Sequence, residues 1–182
     1  MPPAGRRWRL LVVGVGLLVA IGAGLWLGWP RAWLEIRHGS RVIAVYPGAS
    51  GTRFALRWMH SVELEDWIEC FRVTGDGAID IAATRFKTFG AGVPAHAGRH
   101  TRLDHGWVVM SGIDRDVDPL TVQAAAAERY RFRYGGGAWH RLSYNGAEPI
   151  LVFTIMRAPL IAVAWSRLAT IWRGPATDTT RA

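Results

Sequence analysis

The chain has 182 residues, 50% hydrophobic and 20% charged, a composition that excludes a largely disordered protein. Its single cysteine, Cys70, excludes an internal disulfide framework and a cysteine-built metal site. The formal net charge is +8, but the excess of arginine lies near the two ends, and the middle of the chain is nearly neutral. A nearly neutral middle region offers no broad positive surface to bind phosphates, so the net charge does not indicate nucleic-acid binding.

An uncharged segment near the N-terminus predicts a membrane anchor. Residues 10–29 carry no charge, and a helix of about twenty residues spans the roughly 30 Å of bilayer hydrocarbon. A cleaved signal peptide is the alternative, although its apolar region is typically shorter and ends in small residues. Arginines at positions 6, 7 and 9 abut the segment. We therefore expect a single-pass protein of the bacterial inner membrane whose domain faces the periplasm.

Alternating apolar and polar residues predict an all-β ectodomain. Phe54, Leu56 and Trp58 share one face of a candidate strand over residues 53–62, and residues 67–73 alternate in the same way. Many short strands separated by Gly and Pro favour an antiparallel sandwich or barrel. Further candidates cover residues 41–46, 78–87, 107–112, 129–134, 138–144 and 150–156, while residues 120–127 fit either a strand or a helix.

The pattern divides the chain into an anchor over residues 1–33, a β-rich extracytoplasmic domain over 34–157 and a C-terminal segment over 158–182. In the last segment, Trp165 and Trp172 recur at helical spacing, opposite arginines. This pattern predicts a short amphipathic helix followed by a disordered tail. Two positions for the helix stay open: in the bilayer interface, or packed on the sheet.

His60 and Glu69 are polar residues on strand faces that are otherwise apolar. If residues 63–66 form a four-residue loop, the strand register places Trp58 opposite Phe71 and His60 opposite Glu69. Such a pair either fixes the register of the hairpin or holds a ligand or proton. If the two groups pair, the imidazole would keep the pKa of the Glu69 carboxyl below its ordinary value.

A glycine-rich corner follows the next candidate strand, in the order Gly90-Ala91-Gly92-Val93-Pro94. The glycines permit positive φ and close backbone approach, and Pro94 stiffens the exit. The corner lacks the third glycine of a dinucleotide fingerprint. We expect a structural corner whose exposed amides suit a carboxylate or a phosphate.

Other combinations of reactive residues give weaker signals. Ser61 adjoins His60, but neighbouring strand residues point to opposite faces, so the two do not form a nucleophile and its base. His96, His100 and His105 crowd one glycine-broken loop, which does not present them as a helix would. We expect no catalytic residue, no metal site and no cofactor.

Several of these motifs together resemble a known bacterial family. The segments Phe54-Ala55-Leu56, His60-Ser61-Val62-Glu63 and Gly90-Ala91-Gly92-Val93-Pro94, together with Glu69, resemble the domain of unknown function numbered 1850. The resemblance covers residues 54–94 closely and residues 107–156 loosely. It implies a small, often membrane-anchored protein that is commonly encoded beside tripartite ATP-independent periplasmic (TRAP) transporters of the TAXI type, whose receptors capture carboxylates.

We therefore expect a membrane-anchored periplasmic accessory or binding protein that associates with a TRAP-type carboxylate transporter. Its partners would be the lipid bilayer and the membrane subunits or solute receptor of the transporter, with no nucleic acid. The alternative is a metal- or acid/base-dependent periplasmic hydrolase that uses His60 and Glu69. The expected ligand-binding residues are His60, Ser61, Glu69, Gly90, Gly92 and Pro94.

Overall fold

The structure is a computed structural model that describes residues 4–90, 92–142 and 150–165. The chain divides into two units. One unit consists of residues 32–156 and holds most of the β-structure, and the other combines residues 1–31 with 157–182. Each unit is described by itself.

The described part of the chain contains eleven strands: β1 (Pro30–His38), β2 (Arg41–Pro47), β3 (Arg53–Met59), β4 (Asp66–Val73), β5 (Ile79–Phe86), β6 (His100–Asp104), β7 (Trp107–Asp116), β8 (Leu120–Gln123), β9 (Arg131–Tyr134), β10 (His140–Arg141) and β11 (Ile150–Pro159). They form two antiparallel sheets. The four-stranded sheet has the order β2-β1-β11-β8, and the seven-stranded sheet has the order β10-β9-β3-β4-β5-β7-β6.

The main hydrophobic core lies between the two sheets. Phe54 of β3 stacks on Phe153 of β11, with ring centroids 5.8 Å apart, and Leu34 of β1 belongs to the same buried cluster. Burial of each such side chain contributes about 1.5–3 kcal/mol to folding. Because two separate sheets share one core, the predicted all-β antiparallel fold is confirmed as a sandwich.

A second, smaller cluster lies on the seven-stranded sheet, where Phe86 of β5 meets Val108 and Met110 of β7. Val93 and Ala97 pack against these buried side chains. Both belong to the segment that joins β5 to β6. This connection therefore covers apolar surface of the sheet and is held close to it.

The register of β3 with β4 corrects the expected pairing. Leu56, not His60, lies opposite Glu69 in the observed ladder. The strands separate after Met59, so residues 60–65 form a six-residue connection instead of the expected four-residue loop. His60 and Glu69 are therefore not a cross-strand pair.

Aromatic pairing explains why this register is preferred. Phe54 lies opposite Phe71 with ring centroids 5.0 Å apart, and Trp58 lies opposite Trp67 with ring centroids 5.4 Å apart. Directly opposed aromatic pairs stabilise a sheet by roughly 0.5–1.5 kcal/mol beyond their buried area. The expected register forms one such pair from these four residues, Trp58 with Phe71, whereas the observed register forms two.

Some strands differ from the predicted elements. Strands β1 and β6 have no counterpart among them. Residues 120–127 contain strand β8 followed by a 3₁₀ turn, Ala126–Glu128. The strand predicted over residues 138–144 is represented by β10, and residues 143–149 lie outside the described residues.

Helix α1 (Ala4–Gly28) contains residues 10–28 of the predicted membrane segment. Residues Trp8–Gly28 have a mean hydropathy of 2.5 and are long and apolar enough to cross a membrane. This length and composition fit a single-pass anchor and a signal sequence alike.

A short helix, α2, begins at Leu160 and is described as far as Trp165. Its described part exposes Ile161 and Trp165, which are two members of the predicted amphipathic face. The rest of that face, which includes Trp172, and the predicted disordered tail lie outside the described residues.

Candidate functional site

His60 opens the connection between β3 and β4 and is fixed by three hydrogen bonds. Its backbone N–H donates to the carbonyl of Glu65 at 2.8 Å, and its carbonyl accepts from the N–H of Leu64 at 2.9 Å. The ring Nδ1 accepts from the N–H of Glu63 at 3.2 Å. Because Nδ1 is used as an acceptor, Nε2 is the ring nitrogen that remains to donate a hydrogen bond.

The segment after β5 is bound to this connection by side-chain contacts. The Thr88 hydroxyl donates to the Glu63 carboxylate at 3.3 Å, and Lys87 Nζ donates to the Glu65 carboxylate at 2.7 Å. Gly90 faces Glu63 so closely that a Cβ atom there would overlap the carboxylate. Two stretches of chain that are separated in sequence therefore form one surface.

We refer to residues 60–65 together with 87–94 as the loop surface; Ala91 within it lies outside the described residues. Gly92 adopts φ +80°, and the N–H of Val93 donates to the carbonyl of Gly90 at 3.2 Å, which makes the predicted corner a turn. The structure thus brings the predicted His60, Ser61, Gly90, Gly92 and Pro94 into one surface, and it separates Glu69 from them.

Three large apolar side chains project from the loop surface into solvent. The exposed fractions are 63% for Val62, 67% for Leu64 and 64% for Phe89. Phe89 contacts Phe86 edge-on, with ring centroids 5.2 Å apart, so the base of its ring is supported by the smaller core cluster. An exposed apolar group on bonded loops is typical of a surface that binds a partner.

A row of stacked rings connects the loop surface to the interior. His60 stacks on Trp67, Trp67 on Trp58 and Trp58 on Tyr130, with successive ring centroids 5.5, 5.4 and 5.4 Å apart. Trp58 and Trp67, at the middle of the row, lie opposite each other on β3 and β4. The row ends at the cavity that contains Glu69.

Glu69 lines a cavity of about 380 Å³ between β3, β4 and β8. Its walls combine apolar side chains, such as Leu56 and Val122, with polar ones, such as Gln123, Glu128 and Tyr130. Burial raises the pKa of the Glu69 carboxyl from 4.5 to about 7, and the positive charge of Arg115 acts in the opposite direction.

The lowered Glu69 pKa that pairing with His60 would have caused is therefore replaced by a raised one. The observed register places Leu56 rather than an imidazole opposite the carboxyl, so desolvation dominates. Near neutral pH the group is divided between its protonated and ionised forms, and it can donate or accept a hydrogen bond. Burial and the negative charges of Glu128 and Glu69 also raise the pKa of Tyr130.

The sequence matches the model of a known protein family. The family model described as "Domain of unknown function (DUF1850)" matches residues 54–146, slightly more than half of the 182-residue chain. The chain belongs to this family. The resemblance inferred from the His60 and Gly90 motifs is thereby confirmed, and the matched region contains the loop surface and the lining of the Glu69 cavity. Comparisons with curated proteins and with solved structures found no match.

The clustered histidines of this family member do not form a metal centre in the described structure. His96, His100 and His105 are exposed, and His105 Nδ1 lies 2.6 Å from the Asp104 carboxylate, which lowers the pKa of that carboxyl. Among the described residues, no group of three or more His, Cys, Asp or Glu side chains could hold a metal ion.

Tyr130 and Glu128 are site residues that sequence reasoning missed. They reach the Glu69 cavity because β9 pairs with β3, a contact between segments more than seventy positions apart. A local signal exists, since residues 129–134 alternate and place Tyr130 on the same face as Phe132. The alternation indicates a strand face, but it does not indicate which strand lies beside it.

Proposed function

We propose that the protein is a membrane-anchored accessory protein whose β-sandwich binds a component of a TRAP-type transporter at the periplasmic face of the bacterial inner membrane. The observation that carries the proposal is the loop surface, where Val62, Leu64 and Phe89 are exposed on two loops that are bonded to each other. The family resemblance supports the transport association, because members are commonly encoded beside such transporters.

The energetics of the loop surface suit protein binding. Complete burial of a large apolar side chain stabilises an interface by about 1.5–3 kcal/mol, and aromatic anchors such as Phe89 often dominate an interface. The ion pair of Lys87 with Glu65 lies beside the exposed apolar side chains on the loop surface and adds charged groups that can impose specificity.

The hydrogen bonds of the loop surface prepare it for a partner. The connection over residues 60–65 is closed by backbone bonds at His60, and Glu63 ties it to Thr88. Loops that are already ordered lose less conformational entropy on binding. The surface therefore does not require a large rearrangement before association.

The anchor supplies the second part of the proposal. Helix α1 is apolar enough to cross a bilayer, and the arginines in its first two turns favour a cytoplasmic N-terminus. Retention of α1 places the lipid bilayer among the partners. It also confines the loop surface to the membrane region, which raises its effective concentration toward a transporter in the same bilayer.

The hydrolase alternative is weakened by the observed geometry. It requires His60 and Glu69 to act together, but the register separates them and leaves Trp58 and Trp67 between the imidazole and the cavity. Ser61 is exposed on the connection, and the Nδ1 atom of the neighbouring imidazole accepts a backbone hydrogen bond. No observation in the described structure favours an activated nucleophile.

Site-specific photo-crosslinking in native membranes tests this proposal. A photoreactive residue at Val62 or Phe89 should crosslink to a membrane subunit or the solute receptor of the transporter, which is then identified by mass spectrometry. Leu103 on β6 is the matched control, because it is 77% exposed and apolar but lies outside both loops. Equal crosslinking from position 103, or no transporter component at positions 62 and 89, would contradict the proposal.

A binding variant gives an independent measurement. Val62→Ser with Phe89→Ser should reduce co-purification of the transporter in mild detergent at least fivefold, since one candidate anchor is lost from each loop. Leu103→Ser should leave co-purification unchanged. A comparable loss of co-purification in both variants would mean that the loop surface has no specific role in binding the transporter.

A further inference from the structure

A second cavity lies on the outward face of the seven-stranded sheet, opposite the face that carries the core. Its volume is about 460 Å³, a size typical of small-molecule sites. Residues adjacent along a strand point to opposite faces, so the neighbours of the buried Phe54 and Phe71 face outward here. The floor consists of small side chains that lie opposite one another on β3, β4, β5 and β7, namely Ala55, Cys70, Ala83 and Ser111.

Arginine side chains dominate the walls of this cavity. The lining includes Arg53, Arg72, Arg99 and Arg133, and Asp114 is the carboxylate among the described lining residues. Four guanidinium groups and one carboxylate give the described lining a net charge of +3. This local excess contrasts with the nearly neutral middle of the sequence.

The register places two of these positive charges directly opposite each other. Arg53 on β3 pairs with Arg72 on β4, and like charges at opposed positions destabilise a sheet. Arg72 is offset by Asp114 at 3.2 Å and by Asp80 at 3.6 Å. Arg99 also binds Asp114, at 2.6 Å. Arg53 forms no ion pair within the part of the chain that the structure describes.

Arg133 provides an unsatisfied donor beside the same floor. It lies opposite Ala55, and its guanidinium carbon is 4.5 Å from the centroid of the Trp139 ring. Its Nε atom is buried and has no hydrogen-bond partner among the described residues. A shielded N–H of a charged group without an acceptor is unfavourable, and an anionic oxygen would supply the missing acceptor.

We propose that this arginine cavity is a binding site for a small anion that presents carboxylate or phosphate oxygens. Guanidinium groups bind both kinds of oxygen through paired N–H donors. A bound anion would neutralise the opposed Arg53 and Arg72 and accept from Arg133, while the floor leaves room for a small carbon skeleton. This site is separate from the loop surface, so anion binding here does not depend on whether that surface binds a transporter.

Thermal unfolding of the detergent-purified full chain tests the site. Citrate or inorganic phosphate, added at constant ionic strength, should raise the unfolding temperature in a saturable manner, because a ligand that binds the folded state stabilises it. Arg53→Gln with Arg133→Gln should weaken the apparent affinity at least tenfold. Arg102→Gln removes an exposed arginine of β6 outside the cavity and should leave the affinity unchanged.

The two anions distinguish the ligand class. Stabilisation by citrate alone identifies a carboxylate site, stabilisation by phosphate alone identifies a phosphate site, and stabilisation by both identifies a general oxyanion site. A response that follows ionic strength, or one that is equal in the double variant and Arg102→Gln, would overturn the proposal.

The single cysteine gives a second measurement that needs no arginine variant. Cys70 lies in the floor of the cavity, and because the chain has one cysteine, its modification reports on this site alone. The effective anion should slow alkylation of Cys70 by neutral iodoacetamide several-fold, with chloride at equal ionic strength as the control. If neither citrate nor phosphate slows the reaction more than chloride, the cavity is not an anion site.

Discussion

The protonation of Glu69 is governed by burial rather than by a partner. Leu56 lies opposite it, and apolar side chains such as Trp58 and Val122 line the cavity with it. Arg115 favours the ionised form, but desolvation is the larger effect and raises the pKa to about 7. A carboxyl that is uncharged for part of the time at neutral pH costs the fold less than a permanently ionised one.

Glu69→Gln should therefore stabilise the protein at pH 8 and change little at pH 4. As pH rises from 4.5 to about 7, the unfolded chain releases the Glu69 proton before the folded chain does, so the free energy of unfolding falls. Above the folded pKa the penalty is constant, on the order of 3 kcal/mol. Gln keeps the shape of the side chain without the charge and removes this penalty. Chemical denaturation at both pH values measures the difference.

Glu65→Gln is the matched control for Glu69→Gln. Glu65 also lies between β3 and β4, but it is at the surface and bound to Lys87, so its replacement should give no gain at pH 8. A loss of stability in Glu69→Gln at pH 8 would instead mean that the ionised carboxyl has a stabilising partner.

At the scale of strands, the faces could be predicted from sequence, but the register could not. The observed pairing of β3 with β4 differs from the expected one by four positions, and an even shift keeps every side chain on its face. The apolar pattern is therefore satisfied by both registers. The choice of register depends on aromatic pairing and on the Arg57–Asp66 ion pair at the end of the hairpin. The alternation of apolar and polar residues contains no information about the energies of these contacts.

Two strands escaped prediction for opposite reasons. In β1, residues 33–36 are all buried, so the period-two signal of a half-buried strand is absent. In β6, no residue is buried. This edge strand therefore has no apolar face that would produce an alternating pattern in the sequence. The association of the two loops could not be predicted either, because the contact between Glu63 and Gly90 joins segments that are distant in sequence and carry separate local motifs.

The close contact of Gly90 with Glu63 predicts an energetic coupling between the two loops. Gly90→Ala should destabilise the protein by about 1 kcal/mol, because the new methyl group displaces the Glu63 carboxylate from Thr88. In a Glu63→Ala background the same substitution should cost little. Chemical denaturation of the single and double variants forms a double-mutant cycle that measures the coupling.

Gly75→Ala is the control, since a Cβ atom at that turn position meets no other atom within 4 Å. It should show no dependence on Glu63. Additive effects of Gly90→Ala and Glu63→Ala would show that the two loops are not coupled through this contact.

At the scale of the whole molecule, the sequence separates an apolar helix from a β-rich body. Helix α1 combines high hydropathy with flanking arginines, whereas the family match lies entirely within the unit of residues 32–156. The features that the proposals use, the loop surface and the arginine cavity, lie in that unit as well. The side of the membrane that this unit faces therefore decides which partners and anions it meets.

The unit of residues 32–156 should be accessible from the periplasm in intact cells. In a Cys70→Ala background, Arg102→Cys places a thiol on the exposed edge strand β6, and it should react with a membrane-impermeant maleimide without permeabilisation. Ala4→Cys, on the arginine-rich side of α1, should react only after the membrane is opened, because positive charges favour the cytoplasmic side. The reverse pattern would place the body in the cytoplasm. A mature chain whose N-terminus lies beyond Trp29 would instead identify α1 as a cleaved signal sequence, and the loop surface would then act from a protein without this anchor.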